Sequence, residues 1–414
     1  MNIHVVGGCY REICHWPPHD EVHGSGGRAA QVIAQLSQQK GSHLHSMLDP
    51  LLNEQLRTHF AFLECEFDLI QNEFTPAFEY SHPLARPKVY PSRRHLAEVS
   101  KPVIEVSEEN VVIFGMIEAS PKIQAQNAVY DPQDVESPVF FKETGSTADR
   151  LVLILNHTEA VTLFERIIGQ SYSGFETAQI AQKLLDHENA QAVIVKCGYR
   201  GALVLEKSGE SSWIPAHRTS NVFPIGSGDC YVGAFAYFWM AEHRSVQVAA
   251  QYASSVTAFY CDTRTFPDAA SVPNLPTQYP LAQCEILTDK SVYLAGPFFN
   301  LKEMWLINQA RGVLQSMKLS VFSPYHDVGM GSADQVTSKD IEAIEKCDAL
   351  FAMFDGGDPG TLFEIGYAKK CGKPVVIYAE NATDEHLKIY MGTGCIICSD
   401  FTTSIYQLLW ALND

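Results

Sequence analysis

Two stretches of the chain gather side chains that can do chemistry. In the first, Pro224, Ile225, Gly226, Ser227, Gly228 and Asp229 make a glycine-rich turn that runs straight into an apolar helix. Glycines at a helix start bare backbone N–H groups, and the macrodipole there favours an anion. Asp229, one residue further on, is placed to take a proton from a hydroxyl attacking a phosphoryl group. The bland reading of the same residues is a turn and an N-cap. In the second stretch, Asp340 opens a helix expected over residues 338–346, Asp358 sits in a glycine turn closed by Gly360 and Thr361, and Glu364 is expected in the first turn of the following helix. That places Glu364 at the carboxyl end of a strand over 349–354, where open α/β sheets bind ligands. A rigid carboxylate in a crevice is a candidate nucleophile; as pure structure, Glu364 and Asp358 are caps.

Cys14, His15, His19 and His23 have a superficial metal-ligand spacing, but Pro17 and Pro18 forbid a helix that would put the histidines on one face. They read as solvated, or as lining a substrate mouth. Cys395 and Cys398 flank an apolar pair and read as structural thiols rather than a redox couple.

The elements that must position these groups alternate. Strands over 3–6, 111–114, 151–155 and 192–196 are interleaved with helices over 28–38, 158–168, 177–185 and 229–242, which argues a parallel α/β sheet. A proline-rich, aperiodic stretch then reads as a linker over 271–289. A shorter series follows: strands over 291–294, 321–322, 349–354 and 374–378, and helices over 301–316, 338–346, 361–371 and 404–412. The expectation is two α/β domains, residues 1–270 and 290–414. The segment from Glu73 to Ser100 fits no element.

Composition narrows the partners. Against 30 Lys and Arg stand 48 Asp and Glu, a net charge of −18 with no basic run, so no nucleic-acid partner is expected. No apolar run is long enough for a membrane span, and no basic, apolar leader opens the chain. Eleven scattered cysteines do not read as a disulfide framework, so a cytoplasmic location is expected.

The glycine turn and its Asp229 resemble the signature of the PfkB, or ribokinase-like, sugar and nucleoside kinases. Gly24-Ser-Gly-Gly-Arg-Ala-Ala-Gln31, Asn156-His-Thr-Glu159 and Lys196-Cys-Gly-Tyr-Arg-Gly-Ala202 follow that family's motif order. The resemblance implies a ribokinase-like parallel-sheet sandwich that uses ATP and Mg²⁺. Asp229 would be the catalytic base, and Gly226, Ser227, Gly228, Asn156, Glu159, Lys196 and Gly198 the ATP and phosphate site. Glu159 would reach the metal through water. Glu12, Gly26, Gly27 and Gln31 would contact the acceptor. Gln31 stands where the family usually has Asn, Glu12 where it has Asp, and Phe223-Pro224 where it has Asp-Thr.

Tyr293-Leu-Ala-Gly-Pro-Phe-Phe299, Ser323-Pro-Tyr-His-Asp327, Cys347-Asp348, Asp355-Gly and the run Asp358 to Ala368 resemble the nucleoside 2-deoxyribosyltransferases. That resemblance implies a smaller flavodoxin-like or Rossmann-like doubly wound domain without a cofactor, in a homo-oligomer. Glu364 would be the nucleophile of a glycosyl-enzyme intermediate, Asp340 would handle the proton on the departing base, and Tyr293, Gly296, Asp358, Gly360 and Thr361 would line the sugar site.

Together these resemblances imply a bifunctional enzyme whose substrate is a nucleoside, nucleotide or pentose. The kinase step either precedes cleavage of the N-glycosidic bond or traps the sugar it releases. A competing reading is a nucleotide-sensing or defence protein whose kinase-like half only binds ligand while the other half hydrolyses NAD or a deoxynucleotide.

Overall fold

In the computed structural model, residues 2–37, 41–98, 100–134, 136–171, 174, 176–282, 285–329 and 333–414 are described. They form two compact units, residues 1–219 with 223–282 and residues 220–222 with 283–414.

In chain order the first unit contains β1 (Ile3–Val6), β2 (Arg11–Cys14), β3 (His19–Val22), α1 (Gly24–Leu36), β4 (Ser42–Leu48), α2 (Pro50–His59), β5 (Cys65–Gln71), β6 (Ala77–Tyr80), β7 (Lys88–Tyr90) and α3 (Arg93–Glu98). It continues with β8 (Val103–Phe114), β9 (Ser120–Asp131), β10 (Thr147–Asn156), α4 (His157–Ile168), α5 (Thr177–Glu188), β11 (Ala192–Lys196), β12 (Gly201–Glu206), β13 (Ser211–Pro215), α6 (Ser227–Ala236), α7 (Val246–Thr263) and α8 (Leu275–Gln278). Nine strands make one sheet in the order β13-β12-β11-β10-β9-β8-β1-β4-β5, parallel except where β12 joins β11 and β13. The parallel strands are buried on both faces. Ile3, Val5, Val152 and Ile194 pack with residues of α1, α6 and α7, while Val6, Leu153, Leu155 and Val193 pack with residues of α4 and α5. Two-sided burial is why these strands read as continuous apolar runs.

The unplaced segment supplies β6 and β7, which join β2 and β3 in a separate sheet of order β3-β2-β6-β7. The stretch expected to be a linker is folded as far as Ala282. Its prolines Pro273 and Pro276 sit in the first turns of short helices, where a missing N–H costs nothing, and Val272, Leu275 and Tyr279 join the core of the first unit. Positions 283 and 284 lie outside the described residues, as does position 38 at the end of the helix expected over 28–38.

The second unit contains β14 (Ser291–Ala295), α9 (Leu301–Ser316), β15 (Ser320–Phe322), α10 (Ala333–Lys346), β16 (Ala349–Met353), α11 (Pro359–Lys370), β17 (Val375–Tyr378), α12 (Asp384–Gly392), β18 (Ile396–Cys398) and α13 (Phe401–Ala411). Its five strands are all parallel, in the order β15-β14-β16-β17-β18. The order reverses at β14, so a crevice opens between the carboxyl ends of β14 and β16. Two sequence expectations shift here. Asp340 lies in the body of α10 rather than at its start, and α11 begins at Pro359, which puts Glu364 in its second turn. Among the described residues no helix is long and apolar enough to cross a membrane.

Gly26 marks a close approach of α1 to β1. A Cβ there would lie 2.6 Å from the Gly7 carbonyl oxygen, whereas at Gly27 the nearest atom is a Leu56 methyl at 3.3 Å. Gly26→Ala is therefore expected to cost about 1–3 kcal/mol through backbone overpacking, and Gly27→Ala to stay within about 1 kcal/mol of wild type. Urea denaturation of the two variants checks this, and equal stabilities would contradict the close-approach argument.

Candidate active sites

The first site gathers at the carboxyl ends of the parallel strands of the large sheet. Gly226 adopts φ +78°, a left-handed conformation that glycine takes without strain, and α6 starts directly after it. A Cβ on Gly226 would collide with the Arg28 guanidinium, and one on Gly228 would lie 3.2 Å from Lys196 Nζ. The glycine turn is thus flanked by two cations, Arg28 from α1 and Lys196 from the end of β11.

Asp229, in the first turn of α6, is buried. Its Oδ2 accepts from Arg28 Nη1 at 2.9 Å and its Oδ1 from Gln133 Nε2 at 2.7 Å. Burial pushes its carboxyl up to about 6, against the pull of Arg28. Arg28 is fully buried and also pairs through both terminal nitrogens with Glu12 on β2. Glu12 is thereby brought beside Asp229 through the shared guanidinium, with its carboxylate engaged by Arg28. Beside this group Lys196 Nζ lies 2.5 Å from Asp131 Oδ2 at the end of β9.

At the start of α4, Asn156 and Glu159 form a reciprocal cap, with Glu159 N donating to Asn156 Oδ1 at 2.9 Å and Asn156 N donating to Glu159 Oε2 at 2.8 Å. Burial first, and then the nearby Asp131 charge, push Glu159 up to about 8. Two buried carboxylates in mutual conflict are a hard oxygen donor set that suits Mg²⁺. The Ser227 N–H is already taken by the Pro224 carbonyl, but the start of α6 at the glycine turn, with Lys196 beside it, suits phosphate, so the residues present fit a nucleotide with its cation.

Not every expected group converges. Gln31 turns away to His23 Nε2, at 2.7 Å, and to the carbonyl of His59. Gly26 serves the packing of α1 on β1. Gly198, at φ +58°, opens the short turn between β11 and β12. The histidines of the early stretch take separate partners, His15 with Glu79 and His19 against Phe223. Sequence reasoning did not single out Arg28, Asp131 or Gln133. The available signals were a charged residue inside an otherwise small and apolar helix start, and an acid ending the apolar strand Ala-Val-Tyr-Asp131. Gln133 has φ +54°, a strained conformation of the sort that collects at functional sites.

The second site lies on the α10 and α11 side of β14 and β16. Tyr293, fully buried on β14, donates its hydroxyl to Glu364 Oε1 at 2.6 Å. Burial pushes Glu364 up to about 7, with Asp340 and Asp358 adding to the rise and the Tyr293 bond opposing it. Asp340 Oδ1 is buried with no hydrogen-bond partner, and burial raises its carboxyl as well. Asp358 Oδ2 accepts from the Thr361 N–H at 2.8 Å and its hydroxyl at 2.9 Å, capping α11. Gly360 lies against this cap. Gly296 packs against Ile307 of α9 and Met353 of β16. A cleft of about 520 Å³ opens on the α9 side, lined by Pro297, Lys302, Leu306, Phe354 and Tyr378 among others.

Residues 132–265 match the pfkB family of carbohydrate kinases, and residues 292–397 match the nucleoside 2-deoxyribosyltransferase family. The chain joins a PfkB-type unit to a nucleoside 2-deoxyribosyltransferase-type unit. Proteins named 5-dehydro-2-deoxygluconokinase from Bacillus licheniformis and Bacillus subtilis are similar to it. The first is 26% identical over 33% of this chain and 44% of its own length, the second 25% over the same shares. The chain thus spans less than half the length of these curated relatives. A ribokinase structure from Giardia lamblia superposes with a TM-score of 0.50 at 14% identity, over 67% of this chain and all of that one, and shows the fold. The PfkB match takes in Asp131's neighbour Pro132 and all of the glycine turn, while Glu12 and Arg28 lie before it.

In the transferase-type unit Glu364 makes stability depend on pH. Its folded carboxyl, held at about 7, lies above the ordinary value of 4.5. The folded state therefore binds that proton more tightly, and the associated stability is present below 4.5 and lost as pH rises through 7. Glu364→Gln is expected to escape this loss, gaining on the order of 1–3 kcal/mol over wild type at pH 8 and little at pH 4.5. Chemical denaturation at the two pH values tests it; a pH-independent difference would contradict the burial argument.

Proposed function

We propose that the protein is a bifunctional enzyme of nucleoside and nucleotide metabolism. One site would phosphorylate a sugar or nucleoside hydroxyl, and the other would break or exchange an N-glycosidic bond. The observation that carries this reading is that each unit holds a carboxylate of raised proton affinity near the start of a helix beside the carboxyl ends of its sheet, Asp229 in one and Glu364 in the other.

In the PfkB-type unit ATP with Mg²⁺ supplies the phosphoryl group, with Asp131 and Glu159 as the carboxylates that would hold the cation. Asp229 accepts the proton of the acceptor hydroxyl. With its carboxyl at about 6 it is ionised at neutral pH and loses its base form on the acid side of 6. Lys196, beside the glycine turn, would meet the charge that builds on the transferring group, while Arg28 is held by Glu12 and Asp229.

In the transferase-type unit a Glu364 oxygen attacks the anomeric carbon while the bond to the base nitrogen breaks. The electron pair leaves with the base, and the Asp340 carboxyl delivers its proton there. Water or a second base then displaces Glu364. Tyr293 holds the nucleophile at one oxygen and leaves the other to react. A homo-oligomer belongs to the same proposal, supported by the exposed apolar side chains of Phe299, Leu301 and Trp305.

One observation favours the alternative of a ligand-sensing kinase-like unit. Arg28 and Gln133 together occupy both oxygens of Asp229, and Glu12 is engaged by the same guanidinium. Incubating the protein with nucleosides, their monophosphates, pentoses and sugar acids, with and without Mg-ATP, separates the possibilities by mass spectrometry. Free base from monophosphates without ATP, and from nucleosides only with it, is the expected result for kinase-first order. Base from nucleosides without ATP reverses the order. Asp229→Asn is expected to lower phosphoryl transfer at least about 100-fold, and Glu364→Ala to abolish base release. ATP bound but never consumed would overturn the kinase half of the proposal.

A further inference from the structure

Away from both sites, three histidines of the first unit share one face of neighbouring strands. His4 of β1 pairs in register with His43 of β4, and His45 follows two residues later on the same face. Their rings stack, with centroids 4.3 Å apart for His43 and His45, 4.8 Å for His4 and His43 and 5.3 Å for His4 and His45. One ring nitrogen from each lies within 4.8 Å of one from each of the others. We propose that His4, His43 and His45 form a binding site for a divalent transition cation of the zinc type.

The arrangement of the remaining nitrogens supports it. His4 Nε2 faces Glu108 at 3.7 Å, His43 Nδ1 faces Glu66 at 3.4 Å and His45 Nδ1 faces Asp68 at 3.3 Å. Each imidazole thus has a carboxylate beside at least one nitrogen, the kind of partner that orients a metal-bound ring, and His43 has one beside each. His4 Nδ1 and His45 Nε2 stand 3.0 Å apart in a hydrogen bond, and a cation would take the place of the shared proton, spreading the pair to the roughly 3.3 Å set by tetrahedral bonds of about 2.0–2.1 Å. His43 Nε2 is buried and makes no hydrogen bond, although Asp68 Oδ2 lies 2.9 Å away. The three rings are donors of the borderline class that selects zinc and its neighbours over Mg²⁺.

The test uses the full-length, tag-free protein stripped with a chelator. Zn²⁺ is titrated in competition with a chromophoric chelator, and Co²⁺ is followed by its visible ligand-field absorption. Wild type is expected to take up one tight equivalent and to show the Co²⁺ band. The His43→Gln/His45→Gln double variant is expected to lose that equivalent and the band. Asp68→Asn, which changes an exposed residue behind the ligands, is expected to weaken binding about 10–100-fold while leaving the stoichiometry intact. If wild type takes up no tight equivalent, or if the double variant binds as wild type does, the proposal falls. Should the double variant fail to fold, the wild-type band and the Asp68→Asn shift decide the matter.

Discussion

The first unit is organised around a guanidinium with no access to water. Burying Arg28 costs several kcal/mol of lost hydration, recovered only because Glu12 and Asp229 both meet it with close, charge-assisted hydrogen bonds. The three partners come from α1, from the small sheet at β2, and from α6. The ion pairing therefore ties the small sheet to the glycine turn, and removing Arg28 would leave two buried carboxylates without their counter-charge. The turn has its shape for the same reason, since Gly226 is the position at which the backbone passes the guanidinium too closely for any side chain.

Both units solve one problem in the same way. For the proposed chemistry a carboxylate must be dry enough to be a good base or nucleophile, yet stay reachable. In each unit it is placed near the start of a helix that follows a sheet strand or a glycine turn, and its proton affinity is raised by burial and checked by a nearby donor. Arg28 does this for Asp229, and Tyr293 for Glu364. Neighbouring acids act in opposition to the donors, so the tuning depends on a balance among several groups rather than on a single contact.

Much of this was legible in the sequence because it is local. The turn before α6, the Asn156 and Glu159 cap, and the alternation of strands and helices are all expressed over a few residues. What was not legible depends on long-range partners. A charged residue such as Arg28 on a helix ordinarily reads as a solvated face, and its burial depends on Asp229, which arrives from the far end of the unit. Asp131 and Gln133 matter only because β9 lies close to β11 and α6 in space. The small sheet was missed because β6 and β7 are short, half-buried strands without a clear apolar alternation. Asp340 and Glu364 were recognised but misplaced along their helices, because Pro359 starts α11 before Thr361 and α10 runs back to Ala333. Gln31 shares the sequence neighbourhood of the site but not its direction.

Asp358 holds both the start of α11 and, through that helix, the angle at which Glu364 stands. Descendants of this chain cannot vary this carboxylate without also loosening the element that carries Glu364. Change is channelled elsewhere, toward positions such as Lys302 and Leu306 in the cleft beside α9, which carry no capping duty. Sequence drift should therefore gather along α9 while the loop before α11 stays nearly frozen.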